Sequence, residues 1–345
     1  MKHLFKTILL LTAAAMGSAC RTVPVPAPDE RPVKVTFSIL GPDGGTRLTT
    51  DNPQQESAVL HWALLLFRDG SLVDFGTSRS AGSITRELVA GRYTACAVVN
   101  YPEDAFHPET VRTVQELEGT VTDLGDNALP GLVMTGQRNL LIPEETGTGV
   151  QTIPVDRLVF KAGIRKITVR MEDPLLAARP FVLRAVYLTN CPRKSRYGSD
   201  ASLPDLSGEL SWANRMGHQA DPSVDRLLSD TGIDVAIPAD ASHPVPHFFY
   251  GYPNPVGADG DSRSRAAWSP RSTRIVIEAS VGGRTCYYPV TLPATARNRT
   301  YIAEEAVIRG LGSPDPEEDI PGVIEIVFSA STEEWGPVYP INEQS

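Results

Sequence analysis

The chain has 345 residues, a formal net charge of −9, and 29 prolines beside 28 glycines. Its 41% hydrophobic content suffices for packed cores and argues against wholesale disorder. Pro plus Gly, at about 17% against ~12% in an average protein, disfavours a long helical bundle or coiled coil. The acidic balance argues against nucleic-acid partners, which need a basic face, and no apolar run reaches the ~20 residues of a membrane-spanning helix.

Lys2 and Lys6 form a basic start, followed by an apolar stretch centred on Ile8, Leu9, Leu10 and Leu11. Gly17, Ser18 and Ala19 then lead into Cys20. This is the order of a secretory signal peptide. The cysteine directly after small residues resembles a bacterial lipobox, with Gly17 where the usual leucine would stand. Residues 1–19 therefore read as a lipoprotein signal peptide, and Cys20 as the lipidation site, carrying a palmitate-type anchor. Residues 21–28 form a Pro-rich tether. The lipid would hold the chain to a membrane without spanning it. Cys96, Cys191 and Cys286 remain. Cys96 and Cys286 lie in strand-like runs, and all three read as small buried hydrophobes rather than disulfide partners. No pair has metal-ligand spacing.

Residues 33–39 alternate strictly: Val33, Val35, Phe37 and Ile39 face one way, and Lys34, Thr36 and Ser38 the other. That is a half-buried strand. Residues 41–53 hold turn formers and one basic residue, Arg47, as expected of an exposed, protease-accessible loop. Residues 58–67 and 71–75 read as a hairpin turning at 68–70. Residues 84–88 precede a turn and a strand at 93–100. Residues 111–117 are the best helical stretch of this half, and 131–136 and 151–155 are short strands.

The pattern restarts at 156–170, with two strands or one bent strand, and continues at 181–190. Residues 192–240 look loop-rich. Strand-like runs follow at 273–279, 285–292, 301–309 and 323–330, and the tail ends in Val338 and Ile341. Short strands with a turn every ten or so residues predict an all-β chain with minor helix, built as two β-sandwich domains divided near residue 155.

No catalytic motif is present: there is no His-Glu-x-x-His, no Gly-x-Ser-x-Gly and no phosphate loop. His243 and His247 are four apart, but Pro244 and Pro246 forbid the helix that would align them. They read as loop residues. The acidic run 315–319 and the pair Asp259 and Asp261 read as solvated turns rather than calcium loops. Trp62, Trp212, Trp268 and Trp335 are candidates for stacking on sugars or for core packing. No enzyme activity, metal or cofactor is expected.

Taken in order, these pieces resemble the fimbrillins, pilus subunits of Bacteroides-type bacteria. The resemblance rests on Cys20, the strand at 33–40 with Arg47 beyond it, and the runs 64–73, 88–100 and 132–136. It continues through 155–162, 186–190, Tyr252-Pro253-Asn254, 287–292, 297–301, 312–316 and a late Trp335. It covers most of the chain and is carried by no single motif. The resemblance implies two transthyretin-like sandwiches, 48–155 and 156–345, preceded by a propeptide, 20–47. It implies that an Arg-specific protease cuts between Arg47 and Leu48, releasing the strand bearing Val33, Val35, Phe37 and Ile39 with its outer-membrane lipid. The emptied groove then accepts a C-terminal strand of another subunit. The candidate donor residues are Ile324, Ile326 and Phe328 in one segment and Val338 and Ile341 in another; which segment is donated stays open. The implied partners are copies of the chain or other pilus subunits, the protease, and host or bacterial surface ligands, in a fimbrium that supports adhesion. Alternatives are a tip or anchor subunit of the same pilus, or a glycan-binding lipoprotein using Trp212 or Trp268.

Overall fold

The computed structural model describes residues 32–41, 53–143, 149–198, 211–244, 247–257 and 270–328. Strands dominate, and the four α-helices among the described residues have four to six residues each. No helix among the described residues is long and apolar enough to cross a membrane. The fold is all-β.

In the first half, β1 (Val33–Leu40) is followed by α1 (Pro53–Glu56), β2 (Trp62–Arg68), β3 (Ser71–Ser78), β4 (Ile84–Leu88) and β5 (Gly91–Val99). Then come α2 (Val114–Gly119), β6 (Val121–Asp123), β7 (Met134–Ile142), β8 (Gln151–Pro154) and β9 (Asp156–Arg157). They form a three-stranded sheet, β4-β1-β8, and a five-stranded sheet, β3-β2-β5-β7-β9. The β2–β3 hairpin turns at Asp69 and Gly70, both with positive φ, the geometry of a tight two-residue turn.

One face of the five-stranded sheet packs on the three-stranded sheet through Trp62, Leu64, Leu66, Tyr93 and Met134. The other face, with Ala63, Leu65, Phe67, Cys96 and Val98, joins the core of the second half. Burial on both faces explains why residues 62–67 form an unbroken apolar run.

The second half begins with β10 (Phe160–Ile164), β11 (Ile167–Val169), α3 (Pro174–Ala177), β12 (Phe181–Thr189), β13 (Cys191–Pro192), β14 (Lys194–Arg196) and β15 (Trp212–Ala213). It continues with α4 (Asp225–Leu228), β16 (Ser229–Ile237), β17 (Ser242–His243), β18 (His247–Gly251), β19 (Arg274–Val281), β20 (Arg284–Thr291), β21 (Thr300–Ile308) and β22 (Ile324–Phe328). One sheet runs β17-β11-β21-β10-β18 with β22 on the free side of β21, and the other runs β16-β12-β19-β20. Their inner faces share one core, including Phe160, Ile164, Leu183, Leu188, Ile277 and Ile308.

The halves are joined by β6 pairing with β14. Tyr252 donates its hydroxyl to the Asp123 carbonyl at 2.9 Å and accepts from the Asn127 amide at 3.0 Å. A buried ion pair, Lys161 Nζ to Glu56 Oε1 at 2.7 Å, ties α1 to β10, and the Tyr250 hydroxyl donates to the same oxygen.

Three expectations change. The stretch 192–240 carries more regular structure than a loop-rich reading expects: its described residues include β14, β15, α4 and the nine-residue β16. The segment 131–136 is strand only from Met134, since Gly131 has a φ of +110°. The helix near 111–117 starts later, at Val114, where Thr113 and Glu116 form a capping box.

Candidate functional site

The alternation of residues 33–39 places Val35 and Phe37 at 0% exposure and Val33 at 5%, with Ile39 partly buried against the same cluster. Burial of Val33, Val35 and Phe37 contributes about 5–9 kcal/mol as an upper bound. The polar residues line the other face: Thr36 shares a hydrogen bond with Thr85 at 3.0 Å, and Ser38 with Thr152 at 3.1 Å.

β1 is a central strand. It runs antiparallel to β4, with Val33 opposite Leu88 and Phe37 opposite Ile84, and parallel to β8, with Ile39 opposite Ile153. The first ladder spans Val33–Phe37 and the second Phe37–Leu40, so the two meet at Phe37. The slot it fills is walled by Ile84, Leu88 and Ile153 and floored by Trp62, Leu64 and Leu66. These wall residues were not singled out from the sequence, although Ile84 and Leu88 stand four apart with Arg86 between them, the spacing of one strand face.

β22 is an edge strand. Among the described residues it pairs only with β21, from Ile308 opposite Ile324 to Ala303 opposite Phe328. Ile324 and Ile326 are partly buried against the second core, while Val327 is 44% exposed. Cys20, Arg47, Leu48, Val338 and Ile341 lie outside the described residues, as do Trp268, Trp335, Asp259 and Asp261.

Trp212 is 3% exposed, in β15, and is not available to stack on a sugar. His243 and His247 are strand rather than loop residues, their rings stacked 5.7 Å apart. His247 Nδ1 lies 2.6 Å from the Asp230 carboxylate, yet burial holds its pKa below the ordinary value. Among the described residues, no three His, Cys, Asp or Glu side chains gather as a metal site.

The acidic run 315–319 is not wholly solvated. Glu317 is buried, accepting from Arg274 Nη1 at 2.6 Å and from the Asn190 amide at 3.1 Å. Cys96, Cys191 and Cys286 are buried and form no disulfide. Burial, reinforced by Glu118, pushes the Cys96 thiol up to about 12, so it is unreactive at neutral pH.

No protein-family model and no curated protein matches the chain. Solved structures do. A candidate cell adhesion protein from Bacteroides eggerthii superposes with a TM-score of 0.61 at 17% identity, over 88% of this chain and 96% of that one. A second candidate cell adhesion protein, from Parabacteroides distasonis, gives 0.59 at 17% identity, over 86% and 98%. A fimbrilin from Porphyromonas gingivalis gives 0.58 at 14% identity, over 87% and 97%. At these identities the likeness is one of fold, and it extends across nearly the full length of each neighbour.

Proposed function

We propose that this chain is a structural subunit of a fimbrium, made as a lipoprotein anchored at Cys20. An Arg-specific protease cuts it between Arg47 and Leu48, and it polymerises by strand exchange. The observation that carries this reading is the position of β1. It is the first described strand, it pairs with β4 over Val33–Phe37 on one side and with β8 over Phe37–Leu40 on the other, and a single stretch of chain containing Arg47 connects it to everything that follows. A cut in that stretch leaves β1 held by non-covalent contacts alone. Its departure exposes two unpaired strand edges and an apolar floor, which favour addition of a strand from another chain. A head-to-tail contact that does not close on itself makes a filament.

The neighbours with adhesion and fimbrial descriptions support this reading through their shared fold. A pattern within the chain supports β22 as the donor. Val33-Lys34-Val35-Thr36-Phe37-Ser38 and Ile324-Glu325-Ile326-Val327-Phe328-Ser329 match position by position: aliphatic, charged, aliphatic, β-branched, phenylalanine, serine. Ile324, Ile326 and Phe328 therefore offer the side chains that Val33, Val35 and Phe37 present in the slot. β22 is also an edge strand, so its release breaks one ladder rather than two.

The test treats the precursor lacking residues 1–20 with an Arg-specific protease. The expected result is a new N-terminus at Leu48 and a heat-sensitive ladder of oligomers, both abolished by Arg47→Ala. A clean cut at that bond with only monomer afterwards would overturn polymerisation.

A further inference from the structure

β4 and β8 share no ladder with each other, because β1 lies between them. Loss of β1 leaves strands of five and four residues, one beside the 33–37 half of the vacated slot and the other beside the 37–40 half, over an apolar floor that draws them inward. Strands this short do not hold a position on their own. Each is nevertheless tied to the opposite sheet by contacts that do not involve β1.

β4 is tied at three points. Just before it, Trp62 of β2 donates its indole N–H to the Gly82 carbonyl at 3.0 Å. Midway, Arg86 reaches β3, donating from Nη2 to the Phe75 carbonyl at 2.7 Å, with the Asp74 carboxylate 3.4 Å from its Nε. Just after it, Tyr93 of β5 donates its hydroxyl to the Val89 carbonyl at 2.9 Å. β8 is tied by Arg138 of β7, which donates from Nη1 to the Thr152 carbonyl at 2.6 Å.

The Arg86 contact is built into the opposing strand. A Cβ at Gly76 of β3 would stand 2.0 Å from Arg86 Nη2, so glycine leaves a notch for the guanidinium where any other residue would block it. A close approach also marks β8, where a Cβ at Gly136 would stand 1.9 Å from the Pro154 carbonyl oxygen.

We propose that these ties, Arg86 in its Gly76 notch foremost, hold the slot open after β1 leaves and make it a preformed receptor for the incoming strand; this rests on the processing reading above. A preformed groove has its walls ordered before the strand arrives, so little ordering cost falls on binding. Arg86 is thus a positioning residue: its backbone stands opposite Val35 in the β1–β4 ladder, while its guanidinium reaches across to β3 and sets where β4 stands.

The test separates the slot from polymerisation. A recognition site for a sequence-specific protease is inserted between residues 42 and 52 of the precursor. The chain is nicked and the β1 segment removed under mild denaturant. A fluorescent synthetic peptide with the sequence of residues 32–41 is then titrated against the product. The nicked wild type is expected to bind the peptide. Arg86→Met and Gly76→Ala, which disrupt one contact from its two sides, are each expected to bind at least tenfold more weakly while the un-nicked variants unfold at close to the wild-type denaturant midpoint. Wild-type affinity in either variant would overturn the proposal. So would an equal loss of un-nicked stability, or a nicked wild type that binds no peptide. A chain that binds the peptide but forms no ladder with an Arg-specific protease would overturn the polymerisation reading and leave the open slot standing.

Discussion

Phe37 is the largest side chain that β1 places in the first core, and it is completely buried there. Truncating it leaves a cavity that the surrounding Trp62 and Leu64 cannot fully close, at a cost of about 3–5 kcal/mol. Phe37→Ala should therefore lower the unfolding free energy of the intact precursor by that amount, read as a lowered denaturant midpoint at unchanged slope. The processing reading adds a second expectation. After strand exchange, residue 37 has left with the propeptide, so fibres assembled from the variant should melt at the wild-type temperature. Fibres as weak as their mutant precursor would show that Phe37 stays in the subunit. Glu317 makes the converse point about single residues. Its neighbours in sequence suggest a solvated acidic turn, but Arg271 and Arg274 and Asn190 bury it. Those partners lie at least 43 residues away, and no local pattern announces them.

At the scale of elements, β1 and β22 carry the same alternation, but only one face of each points inward. Ile326 packs on the core while Val327, next to it, is largely exposed. Ile326→Asp should leave cutting at Arg47 intact and abolish the oligomer ladder, because a carboxylate cannot enter the apolar slot unpaired. Val327→Asp, on the other face, should assemble normally. Equal assembly by both variants, measured on unboiled gels, would exclude β22 as the donor. β1 was legible because its alternation is unbroken and its turn formers follow at once. β2 was legible as a hydrophobic run. β16 was not: Gly232 and Asp234 have positive φ, at 69° and 48°, and most of its side chains are exposed, so an edge strand looks like loop. The slot's walls were hidden for a different reason. The pairing of β1 with β8 joins residues more than a hundred positions apart, and the Arg86 tie depends on a glycine whose role exists only once β3 and β4 are side by side.

At the scale of the whole molecule, charge opposes assembly that burial favours. Residues 1–47 carry six basic and three acidic side chains, so on the processing reading their removal takes the formal charge from −9 to −12. Subunits of like charge repel as they approach, and that repulsion acts before any strand can reach the slot. The slot itself contributes little net charge, since Val33 and Phe37 face Leu88 and Ile84, and Arg86 opposite Val35 is paired with the Asp74 carboxylate. Repulsion should therefore slow encounter without weakening the final contact. Salt screens it: the Debye length falls from about 30 Å near 0.01 M to about 8 Å near 0.15 M. Growth of the ladder after cutting should accelerate over that range, while the temperature at which finished oligomers dissociate stays nearly constant. Slower growth with added salt would mean that complementary charges steer the two ends together, placing an electrostatic recognition step ahead of strand exchange.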